Sequence, residues 1–250
     1  MKKKIKKLFD YRGLPELMKV GKVKGKKKLY KRLLKLQISI YKLDEYLESN
    51  WKTYDRDLLS YWNCIHQCML DCGVPKSKLP EYSKHILKYQ KHELNLRISK
   101  LPIDGSIEYY YYYKSCDVRL IRQIIYDHSE QLEETYNMAD WRYFDLITEV
   151  NDDAEDLEED LKTINGNYIL IASWFYGRKQ AEKIMSQFID VLKIKNDERY
   201  ENRKSVSNYK LIHKQTNIQL EATRALLKKN LKMVSKKKIK KAKLFKYLSD

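Results

Sequence analysis

The chain has 250 residues, with 51 Lys and Arg against 34 Asp and Glu, a net charge of +17, and only 7 Gly and 4 Pro. That length supplies ample core for one large domain or two small ones. The longest apolar run, residues 168–176, is far short of the ~20 residues of a membrane-spanning helix, and Asp10 and Arg12 interrupt MKKKIKKLFDYRG before it can act as a secretory signal. A soluble, cytoplasmic protein is expected.

The charge is concentrated at the ends. Residues 1–32 carry +12 and residues 228–250 carry +9, which leaves −4 for residues 33–227. Such lysine-rich ends are expected to be solvated arms that contact polyanions, either an anionic membrane at the inner face or a nucleic acid.

From the start of the chain, Lys2 to Lys28 reads as a basic segment broken by Gly13, Pro15, Gly21 and Gly25, ordered only in part. LYKRLLKLQISIYKLDEYLE predicts a helix from Leu29 to about Asn50, and Trp51 to Cys72 predicts a second. GVPKSKLPEY (73–82) reads as a turn, Tyr82 to Lys100 as a third helix, and LPIDGSIE (101–108) as a loop. Cys64, Cys68 and Cys72 recur every four residues, a spacing unlike that of zinc sites, and with Cys116 are expected to be small core residues. Strand alternation is weak everywhere, with Ile107 to Tyr113 as the one candidate.

In YYYYYKSCDVRLIRQIIYDHSEQLEETY (109–136), Val118, Ile121, Ile124, Ile125 and Leu132 share one helix face with Asp117 and His128. A carboxylate on an inward face is costly unless paired or metal-bound. Asp117 is therefore either an N-terminal cap or a site residue. His128 is expected to be a satisfied boundary residue, and the tyrosine run packing material or an aromatic wall.

One helix is then predicted over 140–164, with Leu146, Val150, Ala154, Leu157, Leu161 and Ile164 on one face. Glu149, Asp153, Asp156 and Asp160 flank that face, with Asp152 beside them, and the column reaches Asn167 if the helix continues. Like charges stacked at such spacing destabilise a helix, so a cation is expected among them. Several carboxylates suit Mg²⁺, which binds through a few acids plus substrate phosphates. Further helices are predicted from Lys179 to about Lys195 and from Tyr209 to Val234, with a polar loop at 196–208. The whole reads as all-α: a basic segment (1–28), a bundle of about seven helices (29–234) and a lysine-rich tail (235–250).

If Asp117 and the acids at 152, 153, 156 and 160 face each other across a bundle cavity, they can share metal ions, while Arg122, Arg178 and Lys179 grip a diphosphate. Trp141, Phe144, Trp174, Phe175 and the tyrosines would then line the cavity.

NDDAEDLEED followed by NGNYIL resembles the second metal motif of the class I isoprenoid synthases, the group of terpene synthases and head-to-head prenyl synthases, with Asp152, Asp156 and Asp160 at its four-residue steps. SCDVRLIRQII is similar to an acid- and arginine-bearing helix of bacterial members, so the resemblance spans residues 114–178. It implies an isoprenoid-synthase-like bundle, Mg²⁺, a prenyl diphosphate substrate and a carbocation mechanism. Metal ligands would be Asp117, Asp152, Asp153, Asp156 and Asp160, with Asp117 and Asp156 central to catalysis. Arg122, Asn167, Arg178 and Lys179 would hold the diphosphate. The nearest stand-in for the family's upstream acidic motif is Asp44, Glu45 and Glu48, in which Glu twice replaces Asp. The expectation is a Mg²⁺-dependent synthase or lyase. The competing expectations are a basic helical nucleic-acid-binding protein and a non-enzymatic helical scaffold.

Overall fold

The computed structural model describes residues 1–98, 105–203 and 209–249. All regular structure among them is helical. In chain order the α-helices are α1 (Lys2–Tyr11), α2 (Leu14–Val20), α3 (Lys26–Ser49), α4 (Asp55–Asp71), α5 (Leu79–Leu96), α6 (Ile107–Lys114), α7 (Cys116–Asp127) and α8 (Leu132–Thr135). There follow α9 (Arg142–Glu155), α10 (Leu157–Asp160), α11 (Tyr168–Tyr176), α12 (Arg178–Arg203), α13 (Tyr209–Met233), α14 (Lys236–Lys240) and α15 (Lys243–Ser249). Half of the 101–108 loop (101–104) and the whole stretch 204–208 lie outside the described residues.

The all-α expectation holds, but among the described residues there are fifteen α-helices, eleven of them (α3–α13) where the sequence predicts about seven. The excess arises where charged or glycine-punctuated stretches fold as short helices, and where a predicted helix breaks in two, as over 140–164. The candidate strand at Ile107–Tyr113 is helix α6. The polar stretch after Lys195 continues α12 to Arg203.

The chain forms two compact units: residues 1–91 with 116–137, and residues 92–115 with 138–250. In the first, α3 packs along α4, and α1, α2 and α7 pack on α3. Its core includes Leu33, Leu36, Leu43 and Leu47 of α3, with Ile65 and Met69 of α4. The basic segment 1–28 is folded rather than partly ordered. α1 buries Ile5 and Phe9 while Lys2, Lys3, Lys4, Lys6 and Lys7 stay exposed. Gly13 and Gly25, with φ of 66° and 64°, make the turns that let α2 and α3 begin.

In the second unit, α9 lies against α13, and α13 pairs with α12. α6 rests on α9, while α11 contacts α9, α12 and α14. The predicted apolar face of α9 is buried at Leu146, Val150 and Ala154, as are Leu157 and Ile164 beyond it. The tail is also folded: α14 and α15 bury Ile239, Leu244 and Phe245, and the Phe245 ring stacks on Trp174 at 4.4 Å. Neither lysine-rich end is a solvated arm, because each carries enough apolar residues at helical spacing to dock.

Candidate functional site

The helix predicted over 140–164 breaks. α9 ends at Glu155, Asp156 sits at φ −90° and ψ 12°, α10 runs only to Asp160, and the chain then turns. No glycine or proline forces this break. It falls within DDAEDLEED, where like charges at helical spacing weaken the helix. The uninterrupted column to Asn167 therefore does not form, and the acids part company. Asp153 and Asp160 are buried, Asp156 is half-buried and Asp152 is exposed.

Asp153, 2 % exposed, is held by its own unit. Its Oδ1 accepts from Lys114 Nζ at 2.5 Å, and its Oδ2 from Tyr111 Oη at 2.9 Å and the Tyr168 N–H at 3.1 Å. Asp160 accepts from the side-chain amides of Asn165 at 3.1 Å and Asn167 at 2.7 Å. Burial pushes the Asp153 carboxyl up against the opposing pull of Lys114. Burial likewise raises Asp160 to about 7, with Lys114 opposing and Asp153 adding to the rise. The Lys114 ammonium is held well above its usual range, because the charges around it outweigh its own burial.

Asn167, expected at a diphosphate, is the N-cap of α11. Its Oδ1 accepts from the N–H groups of Ile169 (3.0 Å) and Leu170 (3.2 Å). Its Nδ2 donates to the Asp153 carbonyl at 2.8 Å as well as to Asp160. All its polar capacity is thus spent inside the fold. Gly166 beside it has no room for a side chain, since a Cβ would lie 2.8 Å from Tyr110 Oη and 2.9 Å from Leu96 Cδ1.

This donor set does not fit a hydrated Mg²⁺. The cation already at Asp153 is an ammonium, and amide donors cover both oxygens of Asp160. Among the described residues, no three His, Cys, Asp or Glu side chains come together in a way that could hold a metal ion. Asp117, Arg122, Asp44, Glu45 and Glu48 belong to the first unit, and the acids of 152–160 to the second. Within the first unit, Asp117 accepts from Gln37 Nε2 and from the Val118 N–H, both at 2.6 Å, and Asp44 accepts from Tyr89 Oη at 2.6 Å. Arg122 is buried, Glu48 half-buried and Glu45 exposed. His128 Nδ1 donates to the Ile124 carbonyl, as a boundary histidine should. All four cysteines are free, but Cys64 is exposed rather than in the core.

The expected phosphate-gripping pair Arg178 and Lys179 lies elsewhere in the second unit. The end of α11, the start of α12 and helix α14 line an open cleft of about 730 Å³, within the range of small-molecule sites, roughly 300–1,000 Å³. Its walls combine Trp174, Phe175, Tyr176 and Ile239 with Arg178, Lys179, Lys236 and Lys240. Gly177 joins α11 directly to α12 at φ 80° and ψ 155°, a conformation essentially reserved for glycine. An α-helix leaves its first N–H groups without intrahelical acceptors, and Gly177 has no side chain to cap them. Ser173 also lines the cleft; it is 5 % exposed, and among the described residues its Oγ has no hydrogen-bond partner. A buried hydroxyl left in this way is costly, and an acceptor bound in the cleft would offset that cost.

Trp174, Phe175, Arg178 and Lys179 are marked for a ligand in the sequence, but nothing there marks Ser173, Lys236 and Lys240 here, or Lys114 at the acids. The lysines were submerged in a charge run, and Lys114 in a tyrosine run, so no local pattern distinguished them. Comparison with known proteins gives no match to any family model, curated protein or solved structure.

Proposed function

We propose that the protein binds a prenyl diphosphate in the cleft formed by α11, α12 and α14, and acts on it as a lyase or synthase that ionises the diphosphate ester. The observation that carries this reading is the meeting of four cationic side chains with four apolar or aromatic ones around one cavity. A diphosphate needs concentrated positive charge and N–H or O–H donors, here Arg178, Lys179, Lys236, Lys240 and the Ser173 hydroxyl. The prenyl chain needs an apolar wall, and Trp174, Phe175, Tyr176 and Ile239 offer one. The reading keeps the substrate class implied by the resemblance and two of its expected diphosphate residues, Arg178 and Lys179, without the acids of 152–160.

The chemistry follows from the same groups. When the allylic C–O bond opens, its electron pair leaves with the diphosphate, whose added charge the surrounding cations stabilise. The positive charge left on the carbon chain faces aromatic rings, whose π-faces attract cations. Loss of a proton to water completes an elimination. No step is routed through Mg²⁺.

The test is equilibrium binding of geranyl, farnesyl and geranylgeranyl diphosphates, with farnesol as control, followed by an assay for released diphosphate. Saturable binding of at least one diphosphate, weakened about tenfold or more by Arg178→Ala with Lys179→Ala, is expected. Binding without release would keep the ligand and remove the lyase step. No saturable binding at any chain length would end the proposal.

A further inference from the structure

We infer that the rim of this cleft is a docking surface for an anionic lipid bilayer, from which the ligand enters; the inference rests on the cleft's being a prenyl-diphosphate site. The rim carries two large aromatic side chains in water, Phe175 and Tyr176, each 50 % exposed, next to Gly177. Flanking them are the exposed cations Arg178, Lys179, Lys236 and Lys240, all on the walls of the same cleft. Exposed aromatic rings beside lysines match the two layers of a membrane surface, with rings at the headgroup–acyl boundary and ammonium groups at the phosphates.

The fold fixes this arrangement. α14 buries Ile239 within its own unit, so Lys236 and Lys240 stand at set positions instead of on a loose tail. Met233, 56 % exposed, lies just before α14 and adds another apolar group to the segment. Among the described residues no helix is long and apolar enough to cross a membrane, so contact of this kind would be peripheral. A nucleic acid would use the lysines equally well, but a ligand with a long apolar chain resides in the bilayer. A cleft opening between rings and lysines then receives that chain without passing it through water.

The experiment is flotation of the full-length protein with phosphatidylcholine vesicles, with and without phosphatidylserine, over a range of salt. The wild type should float with the anionic vesicles only. Lys236→Ala and Lys240→Ala should each weaken this roughly fivefold at low salt. Phe175→Ala with Tyr176→Ala, at half-exposed positions outside the core, should weaken it at least roughly fivefold at any salt. Soluble geranyl diphosphate is titrated in the same preparations without vesicles. If it binds while the anionic vesicles do not, docking is overturned and the ligand site stands. If vesicles bind as expected while geranyl diphosphate does not, the docking surface stands and the ligand reading fails. Vesicle binding unchanged in the double aromatic variant overturns the inference. So does a wild type that binds single-stranded or duplex DNA but leaves the vesicles.

Discussion

Lys114 and Asp160 are the residues on which the acidic segment turns. Lys114 is the one cation bonded to buried Asp153 among the described residues, at 2.5 Å. Removing one partner of a buried ion pair strands the other charge, at a cost of roughly 3–5 kcal/mol. Lys114→Met should therefore lower the unfolding free energy by about that amount in a denaturant titration, and a loss under 1 kcal/mol would show the pair to be dispensable. Asp160 makes an opposite kind of prediction. Its folded carboxyl is raised to about 7, whereas an unfolded aspartate releases its proton near 4. Between these values the folded state holds the extra proton, so this group's contribution to stability falls as pH rises from about 4 to about 7 and is constant above. The full change is on the order of 4 kcal/mol. Asp160→Asn should flatten that part of the stability–pH curve, at about 1 kcal/mol for the amide donor left without an acceptor. An unchanged curve would mean that Asp160 does not titrate there.

At the scale of elements, two joints decide the outcome. Gly177 lets α11 hand over to α12 without a loop, and its φ of 80° is one that a side chain resists. Gly177→Ala should cost roughly 1–3 kcal/mol and weaken ligand binding at the cleft more than a surface change on α12 does; equal binding would separate the cleft from this joint. The other joint is the docking of α1. Phe9 is fully buried and meets the Tyr30 ring edge-on at 5.7 Å. Phe9→Ala should cost roughly 3–5 kcal/mol, read from thermal or denaturant unfolding, whereas a change on a solvated arm would cost nothing. Periodicity reveals α3, α4 and α13 to within several residues and the start of α12, because long amphipathic helices repeat their apolar face many times. It could not find α1, α14 or the break at Asp156. A short helix repeats its face once or twice, and a break driven by charge has no glycine or proline to mark it.

At the scale of the molecule, Asp153 and Asp160 of the acidic segment are drawn into the core, while Arg178, Lys179, Lys236 and Lys240 of the cleft stay at the surface. That division argues against the acidic helix as the phosphate site and for the cleft. In thermal melts, diphosphate alone should stabilise the protein, by about 2.7 kcal/mol at roughly a hundred times Kd, with or without Mg²⁺. Lys236→Ala with Lys240→Ala should abolish the effect. Stabilisation that appears only when Mg²⁺ accompanies diphosphate would return the site to Asp152, Asp156 and their neighbours.

What the sequence determined by itself was the helical class and the inward face of α9, since these follow from spacing along one element; Asp153, Asp160, Arg178 and Lys179 were among the residues it marked for a site. Only the tertiary structure decided what each of them meets. Asp153 meets Lys114 across 39 residues, and Arg178 and Lys179 share a cleft with Lys236 and Lys240, more than 50 residues away. Local periodicity says which side of a helix faces inward; the partner found there depends on how distant helices pack, and no single segment encodes that.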